Sequence, residues 1–204
     1  TKSYSVTGVQ TCALPISETA RIQKVEIIYS GELARQETSL LSLSVLKGFL
    51  STITSERISY VNVKQNLTGM GVEVVESKTT HLEKYTNLVT VRFYADEKTL
   101  SVSGTVFGKD TEVLVDFFGY HMDFELSPYV LAMQNNDVPG IIGRVGTVLG
   151  EQNINIATMH WSRKKDKMRA QSFLSIDSPV DDQTIENLKS IDGVLRVSVL
   201  NFNL

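Results

Sequence analysis

Asp137-Val-Pro-Gly-Ile-Ile-Gly-Arg-Val-Gly-Thr-Val-Leu-Gly150, followed two residues on by Asn153-Ile-Asn-Ile-Ala157, decides the fold of the C-terminal part of this 204-residue chain. Ile141, Val145, Val148 and Leu149 fall on one face at helical spacing, so a helix is expected from Gly140 to about Gln152. Gly143, Gly146 and Gly150 line an adjoining face, where another backbone could come close. Upstream, Tyr129 to Gln134 reads as a strand and Asn135 to Gly140 as the loop between them. Downstream, Ile154, Ile156 and Thr158 alternate with Asn155, Ala157 and Met159, which is strand periodicity. Arg163 to Lys167 forms a charged turn, and Arg169 to Ile176 the returning strand. Ser178-Pro179 and Asp181-Asp182 open a second helix, with Ile185, Leu188 and Ile191 inward and Gly193 at its end. Val194 to Leu200 closes the series. The order is β-α-β-β-α-β, with both helices expected on one sheet face and the other face solvated or covered by a partner.

Working towards the N-terminus, Ser127-Pro128 marks the boundary of a first domain over about 18–127. Gln23 to Tyr29 alternates like a half-buried strand and stops at Ser30-Gly31. Glu37 to Ile53 carries apolar residues at 41, 45, 46, 49, 50 and 53, a helical stripe with Thr38 or Ser39 as N-cap. Val72 to Glu76, Leu88 to Tyr94, Leu100 to Phe107 and Glu112 to Phe118 read as strands, with Gly108-Lys-Asp110 turning between the last two. Short connections between successive strands imply a mostly antiparallel α+β domain, and the chain as a whole is α+β: a mixed domain followed by a ferredoxin-like βαββαβ unit over 128–204.

A hydrophobic share of 42% and a charged share of 21% place the chain among ordinary globular proteins. Net charge of −3 leaves no electrostatic footprint for nucleic acid or anionic lipid. No apolar run reaches the ~18–20 residues of a membrane span, and a single cysteine, Cys12, fits a reducing cytoplasm. Residues 6–16 resemble a translated sequencing adapter; they lack any periodicity, and Pro15 breaks a stretch too short for a secretory signal. Residues 1–17 are therefore expected to be artefactual or disordered, with natural upstream sequence missing.

Catalytic constellations are not visible. His81, His121 and His160 have no cysteine or carboxylate at metal-ligand spacing, so no metal site is expected. Neither a Gly-x-Ser-x-Gly elbow nor a P-loop occurs. The run Gly140-Ile-Ile-Gly143-Arg-Val-Gly146 follows a strand, but it is not Gly-x-Gly-x-x-Gly, and no acid ends the next strand to hold a ribose. Arg163, Lys164, Lys165, Lys167 and Arg169, interrupted by Asp166, read as a solvated hairpin tip and not as a phosphate site. The loop before the first C-terminal helix carries more chemistry. Amides around Gly140, Ile141 and Ile142 can receive a carboxylate at a helix N-terminus, Asp137 an ammonium group, and Asn155 hydrogen bonds of either sense. A small amino acid fits that set; plain helix capping by Asn135 to Asp137 accounts for the same residues equally well.

Asp137-Val-Pro-Gly140, with Asn153-Ile-Asn-Ile-Ala157, resembles the ACT domain, whose loop is (Asn/Asp)-x-Pro-Gly and whose second strand begins with Asn-Ile. Val25 to Glu32, Val45-Leu-Lys-Gly48, Tyr60-Val-Asn62 and Gly71 to Ser77 are similar to the intervening, allosteric substrate-binding domain of long-form D-3-phosphoglycerate dehydrogenases. The resemblance covers about 20–204. It implies a regulatory region of a cytoplasmic oxidoreductase of serine biosynthesis that oxidises 3-phosphoglycerate with NAD, the catalytic domains and the NAD site lying outside this chain. It also implies a homo-oligomer joined through ACT domains, with an amino-acid effector, L-serine foremost, at the dimer interface on Asn135, Asp137 and Asn155. For an anion site in the first domain it suggests Lys47, Lys64 and Arg92. Alternatives are an assembly module that binds no effector, a free-standing regulator, or the regulatory half of an iron–sulfur L-serine dehydratase.

Overall fold

The structure, a computed structural model, describes residues 21–96, 98–163 and 168–202, apart from the side chain of Thr52. Expectations for residues 1–17, Cys12 and the turn residues Lys164 to Lys167 lie outside the described residues. The chain divides into two compact units after Gly119, ahead of Ser127-Pro128.

In the first unit the elements are β1 (Ile22–Gly31), a 3-10 turn (Glu32–Arg35), α1 (Ser39–Ile53), α2 (Val63–Gly69), β2 (Glu73–Thr79), β3 (Asn87–Ala95), β4 (Lys98–Phe107) and β5 (Thr111–Phe117). Strand order is β2-β1-β3-β4-β5. The chain leaves β1 through both helices and returns as β2, so that pair is parallel, whereas β1–β3, β3–β4 and β4–β5 are antiparallel. Alternation in β1 sends Val25, Ile27 and Tyr29 into a core with Val45, Leu46, Phe49 and Leu50 of α1. Phe49 lies 5.2 Å from Phe93, centroid to centroid. Helix α2 was not expected: it is seven residues long, and only Val63 and Leu67, one turn apart, are buried, too little for a periodic signal. At the start of α1, Thr38 makes no side-chain cap. The Glu37 carboxylate takes that place, accepting from the Ser39 amide at 3.0 Å, a favourable charge at the positive end of the helix.

In the second unit the elements are β6 (Tyr120–Glu125), β7 (Tyr129–Asn136), α3 (Ile141–Glu151), β8 (Ile156–Arg163), β9 (Arg169–Ile176), α4 (Asp182–Lys189) and β10 (Val194–Asn201). Strand order is β10-β7-β9-β8, the antiparallel ferredoxin-like arrangement that the βαββαβ order requires. Leu131, Met133, Leu174, Ile176 and Val197 face Ile141, Val145, Leu149 and Leu188 of the helices. Asp181 caps α4, accepting from the Thr184 amide at 2.8 Å. Strand β6 was also not expected, although Tyr120, Met122 and Phe124 are buried and alternate with exposed residues. It adjoins the helix-free face of this sheet: Ser162 Oγ donates to the His121 carbonyl at 2.8 Å, and Phe124 stands 5.6 Å from Phe173. Part of that face is therefore covered from within the unit.

One glycine expectation changes. Gly193 does not end α4, which stops at Lys189; at φ +92° it leads into β10, and a Cβ there would stand 2.9 Å from Ile141 Cδ1. On α3, a Cβ at Gly143, Gly146 or Gly150 would meet nothing within 4 Å, so among the described residues no other backbone approaches those positions. Glycine in an open helix interior costs about 0.5–1 kcal/mol relative to alanine. The double variant Gly143→Ala/Gly146→Ala is accordingly expected to raise the melting temperature in a calorimetric scan. A lower one would mean that another molecule packs closely on this face.

Candidate functional site

The loop between β7 and α3 is fixed by backbone hydrogen bonds on both sides. The Asn136 amide donates to the Gly193 carbonyl at 2.7 Å, and the Asp137 amide to the Met168 carbonyl at 3.1 Å. The loop therefore stands at the end of the sheet where β7 and β8 finish and β9 and β10 begin. Gly140 occupies the N-cap position of α3 in a left-handed conformation, φ +90°, with no side-chain cap. The opening amides of a helix have no intrahelical acceptor and carry its positive end. Here they open into the loop that bears Asp137.

Charged groups converge on this mouth. The Asp137 side chain is 14% exposed, and Arg163 Nε lies 3.2 Å from its Oδ2. Arg163 is the last residue of β8 and pairs in register with Ala170, as Asn136 pairs with Arg169, so the sheet itself brings both partners to one end. Arg163 is thus an ion-paired residue of the mouth, still 60% exposed, a partnership invisible in sequence because Asp137 follows β7, Arg163 ends β8, and β9 lies between those strands. Arg144, one turn into α3, donates through Nη2 to the Asp192 carbonyl at 3.3 Å. Asn135 is 1% exposed. Its Nδ2 donates to the Asn136 carbonyl at 2.6 Å, while Oδ1 has no partner among the described residues. An acceptor buried without a partner costs about 1–3 kcal/mol. Ile141 is buried in the core, whereas Ile142 and Val138 form an exposed apolar rim.

Asn155 is elsewhere. It precedes β8, at the end of the sheet where Ile156 pairs with Ile176, and β9 separates β8 from β7. The length of β8, roughly 20–25 Å at strand rise, lies between it and the mouth. Its Nδ2 donates to Asp177 Oδ2 at 2.9 Å. One chain brings together Asn135, Asp137, Gly140, Ile141 and Ile142, and leaves Asn155 at the other end of the sheet.

In the first unit, Lys47, Lys64 and Arg92 do not form a cluster. Lys47 Nζ sits 4.7 Å from the Tyr60 ring centroid, and Lys64 is 3.8 Å from Glu76. Arg92 pairs with Glu26 at 3.6 Å, on the sheet face opposite α1. The Tyr94 hydroxyl donates to Glu26 Oε2 at 2.6 Å. That bond above all, with Ser77, Arg92 and Lys24, holds the Glu26 carboxyl below its ordinary range. Such a network is internally satisfied.

Among the described residues no three metal-ligating side chains gather, and no helix is long and apolar enough to cross a membrane. NAD, which the resemblance implies for a longer protein, does not fit the glycine run. Gly143 and Gly146 lie inside α3 and only Gly140 lies in the loop, whereas a dinucleotide cradle needs its glycines in the turn itself.

Comparison with known proteins agrees in both units. Residues 16–118 match the family model of the D-3-phosphoglycerate dehydrogenase intervening domain, and residues 129–193 that of the ACT domain. Similar relatives named D-3-phosphoglycerate dehydrogenase come from Methanocaldococcus jannaschii (35% identical over 88% of this chain and 34% of the relative) and Bacillus subtilis (30%, 88% and 34%). A third is from Archaeoglobus fulgidus, 33% identical over 85% of this chain and 33% of the relative. The chain spans about a third of the length of the curated relatives it matches.

Proposed function

This chain belongs to the D-3-phosphoglycerate dehydrogenase intervening-domain family and carries an ACT domain, and from that premise we propose that it senses a small amino acid, L-serine foremost, for an enzyme oxidising 3-phosphoglycerate with NAD. Effector binding at the mouth of α3 would bias how ACT domains pair and so influence catalysis elsewhere in the assembly. Asp137 receives the ammonium group, the amides of Gly140, Ile141 and Ile142 the carboxylate, and Asn155 of a second copy completes the site. What carries this reading is the mouth itself: a carboxylate beside uncapped helix amides, with the buried Asn135 side-chain oxygen lacking a donor among the described residues. The need for a second copy follows from Asn155 standing at the far end of its own sheet. Edge strand β8 offers unpaired backbone groups to such a copy.

Calorimetric titration of the chain with L-serine, alongside sedimentation with and without it, is the direct test. Heat that saturates, with a serine-dependent change in assembly, supports the sensor. A second reading has an observation of its own: Asp137 and Asn155 are already engaged by Arg163 and Asp177, as they would be in a module that only assembles subunits. In that case the chain dimerises whether or not serine is present, and no heat is seen.

A further inference from the structure

The geometry points to Arg163 as a specificity-determining residue that restricts the mouth of α3 to zwitterions, an inference that rests on the amino-acid reading above. Arg163 Nε stands 3.2 Å from Asp137 Oδ2, and the Asp137 side chain is only 14% exposed. An ammonium group can take that carboxylate only by displacing the guanidinium. A simple amine would then leave Arg163 without an anion, so it exchanges one ion pair for another and gains little. A simple carboxylate meets a guanidinium already neutralised by Asp137. A zwitterion inserts into the pair: its ammonium goes to Asp137 and its carboxylate to the displaced Arg163 and the amides of α3, so that two ion pairs stand where one stood. Charge-assisted hydrogen bonds of this kind are the strong ones, and the fork of the guanidinium suits a carboxylate.

Two further features fit. Arg144 faces the Asp192 carbonyl at 3.3 Å and does not compete for Asp137. Asn135, at the end of β7 that leads into the same loop, is 1% exposed with its Oδ1 unpartnered among the described residues, an acceptor that a bound ammonium group would satisfy. The Arg163 side chain is itself 60% exposed, so its replacement leaves the core untouched.

The test is a titration of the 204-residue chain, unaltered and as Arg163→Gln and Arg163→Lys, with L-serine, ethanolamine (serine without its carboxylate) and 3-hydroxypropionate (serine without its ammonium). The unaltered chain is expected to prefer serine over ethanolamine by roughly 30-fold or more, as the loss of a charge-assisted carboxylate contact requires. In Arg163→Gln that preference should fall at least about fivefold, with ethanolamine binding as well as before or better, and Arg163→Lys should recover part of it. Serine binding with an unchanged preference in Arg163→Gln overturns the role of Arg163 alone. An unaltered chain that takes up no serine overturns the amino-acid reading and this inference together, so the two failures are distinguishable.

Discussion

Gly31→Ala is expected to cost the first unit roughly 3–5 kcal/mol, combining a backbone conformation closed to alanine with a steric collision. Gly31 ends β1 at φ +80° and ψ −140°, a region only glycine enters readily. An added Cβ would be driven into the Thr86 carbonyl oxygen and stand 3.1 Å from Leu82 Cδ2. The obstacle is backbone, so no rotamer change relieves it. Nor can Thr86 withdraw cheaply, because its carbonyl accepts the Glu32 amide at 3.2 Å. Beside it, the Leu33 amide donates to Asn87 Oδ1 at 2.7 Å. Relief would break the clasp that holds the 3-10 turn to the start of β3. Against a typical domain stability of ~5–15 kcal/mol this is a large fraction. Guanidinium unfolding should show a much lower midpoint, whereas Gly108→Ala, at φ +61° with nothing within 4 Å of its Cβ, pays only the conformational part. Equal midpoints for the two variants would refute the collision.

How far the sequence reveals this protein follows from what each signal depends on. Strong periodicity over a long element survives translation into structure: the α1 stripe and the α3 face lie as the spacing predicts, because burial of one face decides them. Elements decided by few residues were not foreseen. Helix α2 buries two side chains, and β6 alternates for only six residues immediately before Ser127-Pro128, where it reads as tail. Pairing direction was illegible as well: nothing local distinguishes β2 from an antiparallel partner, since the parallel register with β1 arises from the crossover through α1 and α2. The candidate site divides the same way. Asp137 and the Gly140 mouth are contiguous in sequence and were legible. Arg163 was not, because its place beside Asp137 is made by β9 lying between the two strands. The same interposition carries Asn155 to the far end.

That separation makes Asp137 and Asn155 the most discriminating pair to alter. Asp137→Ala is expected to weaken serine binding about 100-fold or more, since the ammonium group loses the Asp137 counter-charge in a partly desolvated mouth. Folding should change little. The partner left behind, Arg163, is 60% exposed and returns to water, and a pair of that kind contributes at most about 1 kcal/mol. Asn155→Ala should also abolish binding if the site is shared between two copies, although it lies a strand length from the mouth of its own chain. Mixing the two variants then separates the alternatives. In a two-fold dimer carrying one of each, one site has lost both residues and the other has kept both. After random exchange about a quarter of all sites should bind serine with native affinity, although neither variant binds alone. Calorimetry of the mixture reads that fraction directly as stoichiometry. If the mixture stays silent while circular dichroism shows both chains folded and sedimentation shows them associated, Asn155 does not act across the interface, and the effector is held by the mouth of a single chain or not at all.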